Sequence, residues 1–205
     1  MKIAQHAIFD PHKAAEHTRP GCVPPLSAAC GCDFGFANDP TTLVRCWISG
    51  AQFGKTQGKL YVEHEAWGIG VDIVNTPALF DSVPDARRHL IYADCSRPET
   101  ISHIRNAGFR IEGCEKWSGS VEDGAAFLRS FEKIIIHPRC AHAAEEARLY
   151  SFKRDRLTGT VMPDVADKNN HVWDAVRYAL GPMIQPKSSL GVWTRLNGPT
   201  PRPRR

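Results

Sequence analysis

The chain has 205 residues, a formal net charge of +4 and 42% hydrophobic residues, a composition that allows one α/β domain with a full core. No apolar run approaches the roughly 18 residues that a membrane-spanning helix needs, and the N-terminus lacks the apolar stretch of a secretory signal. We therefore expect a cytoplasmic protein without a membrane segment. The seven cysteines are an odd number and most lie in apolar segments, so we expect reduced thiols.

Composition divides the chain into three parts. Residues 1–27 are rich in His, Pro and small side chains and show no sustained helical or strand period, so we expect an irregular N-terminal arm. Residues 28–184 alternate between strand and helix patterns and are predicted to form the folded domain. Residues 185–205 interleave proline with lysine and arginine, which is typical of a disordered basic tail.

The folded part begins with three predicted strands. A run of small and apolar residues ends at Asp33, the turn Asn-Asp-Pro follows at 38–40, and the β-rich segment 41–51 comes next. After a polar loop, residues 59–67 alternate between apolar and polar side chains. Together these segments predict an antiparallel meander.

Helices and strands alternate in the rest of the domain. A weakly helical segment at 69–82 precedes a short strand that ends on Asp94. The later helix at 120–131 is predicted to open with a capping box between Ser120 and Asp123. The remaining predicted elements are a helix at 96–109, a strand at 110–117, a strand at 133–138, a helix at 141–152, a hairpin within 154–165 and a last helix from about 169 to 180.

This order of elements predicts the fold class. Three strands followed by alternating helices and strands indicate an α/β fold with a mixed β-sheet, part antiparallel meander and part parallel, covered by helices on both faces. In such a sheet, ligands bind in the crevice outside the carboxyl ends of neighbouring strands. Asp33 and Asp94 each lie at the end of a predicted strand.

Asp33, Asp94 and Asp174 are the candidates for chemistry. Asp174 follows His171 by three residues, so the two side chains share one face of the last helix. If the first and fourth strands are neighbours, Asp33 and Asp94 face each other across about 4.8 Å. Carboxylates that close repel unless a divalent cation lies between them, and their hard oxygens suit Mg²⁺ or Mn²⁺. Two such ions about 4 Å apart can activate water against a phosphodiester, which predicts a hydrolase.

Each aspartate taken alone also has a structural interpretation. A single acid at the end of a strand is more often a turn or cap residue than a ligand. Asp94 could cap the helix that follows it, and Asp174 could be an exposed acid on a helix surface. The functional interpretation therefore depends on the three residues together.

The segments GCDFGFANDP, LIYADCSRPE and DKNNHVWDAVRYAL resemble the three acidic motifs in the nuclease domain of large terminase subunits from tailed bacteriophages and prophages. The resemblance rests on their order and context and covers roughly residues 28–184. It implies a ribonuclease H-like fold, two divalent cations and endonucleolytic cutting of concatemeric double-stranded DNA during genome packaging.

The resemblance also implies roles for individual residues. Asp33, Asp94 and Asp174 match the metal-binding catalytic acids, and His171 matches a further metal ligand. Asp167 matches another acid that is common in the family, although a capping role for the last helix is an equally good interpretation.

The family further implies double-stranded DNA, the portal, the small terminase subunit and an ATPase motor domain as partners. We expect no room for the motor in this chain. The segment 49–56 resembles a phosphate-binding loop, but Ser49 stands in place of the first glycine and the segment lies between two predicted strands. We therefore expect Lys55 to lie on a hairpin. The chain is therefore expected to be an excised nuclease domain or a naturally split protein.

Basic side chains are the candidates for holding DNA through its phosphates. A basic hairpin at 153–156 could reach a duplex backbone, although a solvated turn explains it equally well. The Cys and His residues near Cys30 and Cys140 lack the paired spacing typical of structural zinc. The candidate DNA-binding residues are Arg97, Lys116, Arg139, Lys153, Arg154, Arg156 and Lys168.

Two alternative functions stay open at this point. One keeps the fold and makes the chain a Holliday-junction resolvase or a transposase-like nuclease. The other makes it a non-catalytic module that docks on DNA or on the portal through its basic tail.

Overall fold

The computed structural model describes residues 3–4, 28–35, 37–50, 58–149, 152–154, 161–165 and 170–184. The strands are β1 (Ile3–Ala4), β2 (Ala29–Asp33), β3 (Pro40–Ser49), β4 (Lys59–Ile69), β5 (Ile91–Ala93), β6 (Ile111–Gly113), β7 (Lys133–Ile136), β8 (Phe152–Arg154) and β9 (Val161–Val165). The α-helices are α1 (Thr76–Asp81), α2 (Pro98–Asn106), α3 (Ser120–Ser130), α4 (Ala141–Leu149) and α5 (His171–Leu180). Short 3₁₀ turns cover Ile73–Asn75 and Gly181–Met183.

One mixed sheet organises the molecule. Its strand order is β1-β7-β4-β3-β2-β5-β6, while β8 and β9 form a separate antiparallel pair. The pairs β2–β3 and β3–β4 are antiparallel, which confirms the predicted meander. The pairs β2–β5, β5–β6, β4–β7 and β1–β7 are parallel, so the predicted mixed sheet is also confirmed.

Helices cover both faces of this sheet, as predicted. On one face, residues of α3, α4 and α5 pack with β3, β4 and β7 in a core that includes Trp173 and Leu128. On the other face, α1 and α2 contribute Phe80 and Ile104 to a second core with β2, β5 and β6. Strand β2 contacts both cores because its side chains alternate between the faces. Cys30 and Cys32 enter the second core, while Gly31 lies under α5.

Gly31 allows α5 to lie directly on the sheet. A Cβ atom at this position would collide with the backbone of Ala175 and Ala179, so only glycine permits so close an approach. The strand that ends at Asp33 and the helix that carries Asp174 are thereby brought into contact. This contact positions the candidate site.

The predicted capping box at the start of α3 is wrong. Ser120 is already helical, and the residue before it, Gly119, has a φ of +88° and no capping side chain. The Asp123 carboxylate instead accepts a hydrogen bond from the Trp117 indole at 2.9 Å. The left-handed glycine ends the preceding loop and leaves no role for a serine cap.

Several expectations fall at the limits of the described residues. The predicted irregular arm contributes β1, which the sequence does not predict, and the rest of residues 1–27 lies outside the described residues, as does the tail 185–205. The turn of the predicted hairpin also lies outside them, although its strands β8 and β9 pair as expected. The six cysteines within the described ranges are all free thiols. None of the described helices has the length and apolarity needed to cross a bilayer.

Candidate metal centre

Asp33 and Asp94 end two neighbouring parallel strands. Cys32 of β2 is in register with Ala93 of β5, and the Asp94 N–H donates to the Cys32 carbonyl at 3.0 Å. The first and fourth predicted strands are therefore neighbours, and the carboxyl ends of both open at one edge of the sheet. This is the crevice at which open α/β sheets bind ligands.

Asp33 contacts the last helix through His171. The two side chains meet with 3.1 Å between Asp33 Oδ2 and His171 Nδ1, and the other ring nitrogen lies 3.7 Å from Asp39 Oδ1. The hydrogen bond to the Asp33 carboxylate raises the pKa of His171. Thr42 pairs with Asp33 across the sheet and donates its hydroxyl to the His171 carbonyl at 3.3 Å. The start of α5 is thus held against the end of β2.

Asp174 lies one turn into α5 and is largely buried. Asn170 donates its side-chain amide to Asp174 Oδ2 at 3.1 Å, and Arg177 approaches Asp174 Oδ1 to 2.7 Å. Burial raises the pKa of Asp174, and the charge of Asp33 adds to the rise although Arg177 opposes it. The predicted alternative of an exposed helix acid is therefore wrong, because this carboxylate is only 17% exposed and is held by Asn170 and Arg177.

Asp94 has a different environment. Lys116 Nζ lies 2.5 Å from Asp94 Oδ1, and Ser96 donates to Asp94 through both its backbone N–H and its hydroxyl. Burial alone would raise the pKa of Asp94, but the hydrogen bonds from Lys116 and Ser96 hold it below its usual value. The N-cap of α2 is Arg97, so Asp94 does not cap that helix.

Tyr178 lies among the three acids. Burial raises its pKa above the usual range, and the charges of Asp33, Asp94 and Asp174 each raise it further. The Tyr178 phenol therefore interacts electrostatically with all three carboxylates, which come from two strands and a helix. The sequence contains a signal for Tyr178 that the prediction did not use, since it follows Asp174 by four residues and must share its helix face.

The donor set at this edge suits a hard divalent cation. Carboxylate oxygens with an imidazole nitrogen are ligands of Mg²⁺ and Mn²⁺. Each acid has a basic partner in this structure: His171 for Asp33, Lys116 for Asp94 and Arg177 for Asp174. Among the described residues, no three His, Cys, Asp or Glu side chains are already arranged around one point as metal ligands. The residues therefore fit the cation chemically. A bound cation would replace the basic partners that the three carboxylates have in this structure.

The other predicted site residues have different outcomes. Lys116, predicted to bind DNA, forms an ion pair with Asp94. Arg139 lies at the end of β7, where its guanidinium contacts His137 and His64. Only the backbone of Lys153 and Arg154 is described, in β8, while Arg156, Asp167 and Lys168 lie outside the described residues.

A mixed sheet with acids at two adjacent strand ends and on a covering helix is the arrangement of a ribonuclease H-like domain. The sequence profile described as "Terminase RNAseH like domain" matches residues 33–181, which begin at the first of the three aspartates. The chain belongs to this family, the ribonuclease H-like nuclease domains of large terminase subunits.

Two curated relatives and one solved structure agree with this assignment. The large terminase subunit of Bacillus phage SPP1 is 31% identical over 166 residues, which are 80% of this chain and 37% of that protein. The PBSX phage terminase large subunit of Bacillus subtilis strain 168 is 30% identical over 150 residues, 73% of this chain and 33% of that protein. The chain thus spans about a third of each relative's length.

The solved structure is the nuclease domain of the SPP1 large terminase with bound Mn. It matches with a TM-score of 0.72 at 28% identity, covering 89% of this chain and 96% of that domain. The predicted family and the predicted ribonuclease H-like fold are both confirmed.

Proposed function

We propose that this domain is a metal-dependent endonuclease that hydrolyses double-stranded DNA and cuts concatemeric viral DNA during genome packaging. The observation that carries the proposal is the convergence of Asp33, Asp94 and Asp174 at one edge of the sheet, from two adjacent strands and one helix. Such a cluster of carboxylates is what a phosphodiesterase uses to bind divalent cations. Membership of the terminase family points to viral DNA as the substrate.

Asp33, Asp94, Asp174 and His171 would hold two divalent cations, Mg²⁺ or Mn²⁺. When bound, these ions supply a nucleophilic water and stabilise negative charge on the phosphate. The Mn bound to the related SPP1 nuclease domain supports this assignment. Burial and, to a lesser extent, the charge of Asp33 raise the pKa of Asp174, so a bound cation would stabilise its ionised form.

The other residues of the centre would orient these ligands. Asn170 and Arg177 hold the two oxygens of Asp174, so the carboxylate plane is fixed before any cation arrives. Thr42 holds the backbone of His171. Tyr178 is buried on the same helix face as Asp174 and would pack against the acids.

Lys116 would place a positive charge beside the scissile phosphate. Its side chain is 40% exposed, so the ammonium can leave Asp94 and reach a phosphate oxygen of bound DNA. Lys153, Arg154, Arg156 and Lys168 would extend the contact along the duplex backbone. Contacts to phosphates carry little sequence information, so we expect weak sequence preference.

The larger assembly follows from the same family. We propose that the domain works in the host cytoplasm with an ATPase motor, the portal and the small terminase subunit. Asp167 would add a further acid to the centre. Among the described residues, the N-cap position of α5 belongs to Asn170.

The function is tested by plasmid cleavage with Asp94→Asn. We expect the wild-type chain to nick and linearise plasmid with Mn²⁺ or Mg²⁺ and to stop when the cation is chelated. Loss of an outer-shell partner costs about 10- to 100-fold, so loss of a ligand should cost more than about 100-fold. Asp72→Asn, which changes an exposed aspartate at the start of a 3₁₀ turn, is the matched control and should cut normally. Full cleavage by Asp94→Asn would contradict the assignment.

The same assay separates the two alternative functions. A clear preference for a four-way junction over linear duplex would identify a resolvase. DNA binding without any cleavage, together with no detectable cation binding, would identify a docking module.

A further inference from the structure

A buried glutamate of α4 contacts the first turn of α5. Glu146 is 7% exposed, and its Oε2 accepts a hydrogen bond from the Val172 backbone N–H at 2.8 Å. Burial raises the pKa of Glu146 to about 7, while the backbone N–H groups of Val172 and Trp173 favour its ionised form. The first N–H groups of a helix have no partner within the helix, and a buried carboxylate needs donors. The Glu146 carboxylate and the first N–H groups of α5 therefore supply each other's hydrogen-bond partners.

This contact lies between two candidate metal ligands. Val172 follows His171 directly and precedes Asp174 by two residues, so the turn that Glu146 holds is the turn that presents both side chains. A second tie runs between the same helices, because the Trp173 indole donates to the Ala143 carbonyl at 3.2 Å. Together the two bonds fix the rotation and height of α5 against α4.

Helix α4 is itself fixed to the sheet by a similar contact. Glu65 of β4 accepts from the backbone N–H of His142 at 2.9 Å and from that of Ala143 at 2.8 Å. The His142 ring stacks on Trp67 with 4.2 Å between ring centroids. One carboxylate thus anchors α4 to β4, and the next, Glu146, anchors α5 to α4.

We propose that Glu146 is a positioning residue for the metal centre, which holds His171 and Asp174 in the geometry that a divalent cation requires. The inference rests on the proposed function, because it takes these two residues as ligands. In this role Glu146 would act through the backbone of Val172 and not as a ligand. When ionised, this carboxylate also faces the positive end of the α5 dipole, which favours the contact.

The matched control is the neighbouring residue. Glu145 precedes Glu146 on the same helix but is exposed, so Glu145→Ala removes the same charge and side chain without touching α5. Glu146→Ala removes the acceptor, whereas Glu146→Gln keeps an oxygen at the same reach. Glu146→Asp keeps the charge but withdraws it by one methylene.

The experiment measures Mn²⁺ binding to each purified chain by isothermal titration calorimetry. We expect Glu146→Ala to bind Mn²⁺ about 10-fold or more weakly than wild type, since partners that orient ligands typically contribute 10- to 100-fold. Glu145→Ala should bind as wild type does, and Glu146→Gln should recover most of the affinity. Amide hydrogen exchange without metal should be faster across residues 171–174 in Glu146→Ala alone.

The outcomes are distinguishable. A folded Glu146→Ala chain with wild-type Mn²⁺ affinity overturns the proposal, even if its melting temperature falls, because that result describes a purely structural contact. If Glu146→Ala does not fold, Glu146→Gln and Glu146→Asp replace it, and equal affinities for that pair overturn the proposal. A wild-type chain that neither binds Mn²⁺ nor cuts DNA overturns the proposed function as well.

Discussion

Lys116 and Asp94 form an ion pair at which, under the proposed function, metal binding and DNA binding would compete. The ammonium lies 2.5 Å from the carboxylate and 5.4 Å from the centre of the Tyr178 ring, on the side of the acids that solvent reaches. A cation that binds Asp94 must displace this ammonium or tolerate its charge. Under the proposed function, Lys116 would therefore weaken metal binding while it favours an incoming phosphate.

Replacing Lys116 with methionine should separate these two effects. Exposed ion pairs contribute up to about 1 kcal/mol, so we expect Mn²⁺ to bind up to about fivefold more tightly to Lys116→Met. Plasmid cleavage should nevertheless fall, because the phosphate contact is lost. Lys133→Met, at the amino end of β7 and away from the acids, is the control for both measurements. Weaker Mn²⁺ binding by Lys116→Met would contradict this account.

The sequence identified the four candidate ligands as a group, but it did not identify their partners. Asp33 and Asp94 follow from the rule on strand ends, and His171 with Asp174 from helical spacing. Lys116 meets Asp94 only because β5 and β6 pair in parallel and place the loop after β6 beside it. No local pattern in the sequence contains that pairing.

At the scale of elements, the contact between β2 and α5 determines the site. Gly31 lies opposite Ala175 and Ala179, so the helix backbone rests on the strand backbone without an intervening side chain. The separation of Asp33 from Asp174 depends on this seating. A methyl group at Gly31 would lift the helix and, with it, two of the candidate ligands.

Gly31→Ala should therefore cost both stability and metal affinity. Overpacking of a filled core costs about 1–3 kcal/mol, and displaced ligands should weaken Mn²⁺ binding as well. Gly70→Ala is the control, because nothing lies within 4 Å of its added methyl and only its φ of +63° is penalised, by about 1–2 kcal/mol. Denaturant unfolding and Mn²⁺ titration measure the two quantities. Intact Mn²⁺ affinity in Gly31→Ala would show that the seating of α5 does not control the centre.

Element prediction succeeded where one period dominates and failed where a loop intervenes. Strands β2, β3 and β4 carry clear strand patterns, and their meander was predicted correctly. The capping box at α3 matched the sequence pattern Ser-x-x-Asp, but the backbone before it turns at Gly119 in a left-handed conformation. The conformation of a single glycine outweighed the pattern that followed it.

At the scale of the molecule, the sheet joins segments that are far apart in the chain. Lys59 of β4 is in register with Lys133 of β7, and β1 pairs with the other edge of β7. Periodicity describes each strand by itself and says nothing about which strands pair, so this half of the sheet order was not predictable. The mixed class and the covered faces were predictable because they depend only on the order of elements.

A bound cation should stabilise the whole domain, because without it the clustered carboxylates repel one another. A ligand that binds only the native state adds about 2.7 kcal/mol at 100 times its dissociation constant. For a chain of this size that corresponds to a rise of about 5–10 °C in melting temperature. We expect this rise with Mn²⁺ for wild type and for Asp72→Asn, and its loss in Asp174→Asn, because the buried Asp174 carboxylate supplies part of the repulsion. An equal rise in Asp174→Asn would mean that the stabilising ion binds away from the three aspartates.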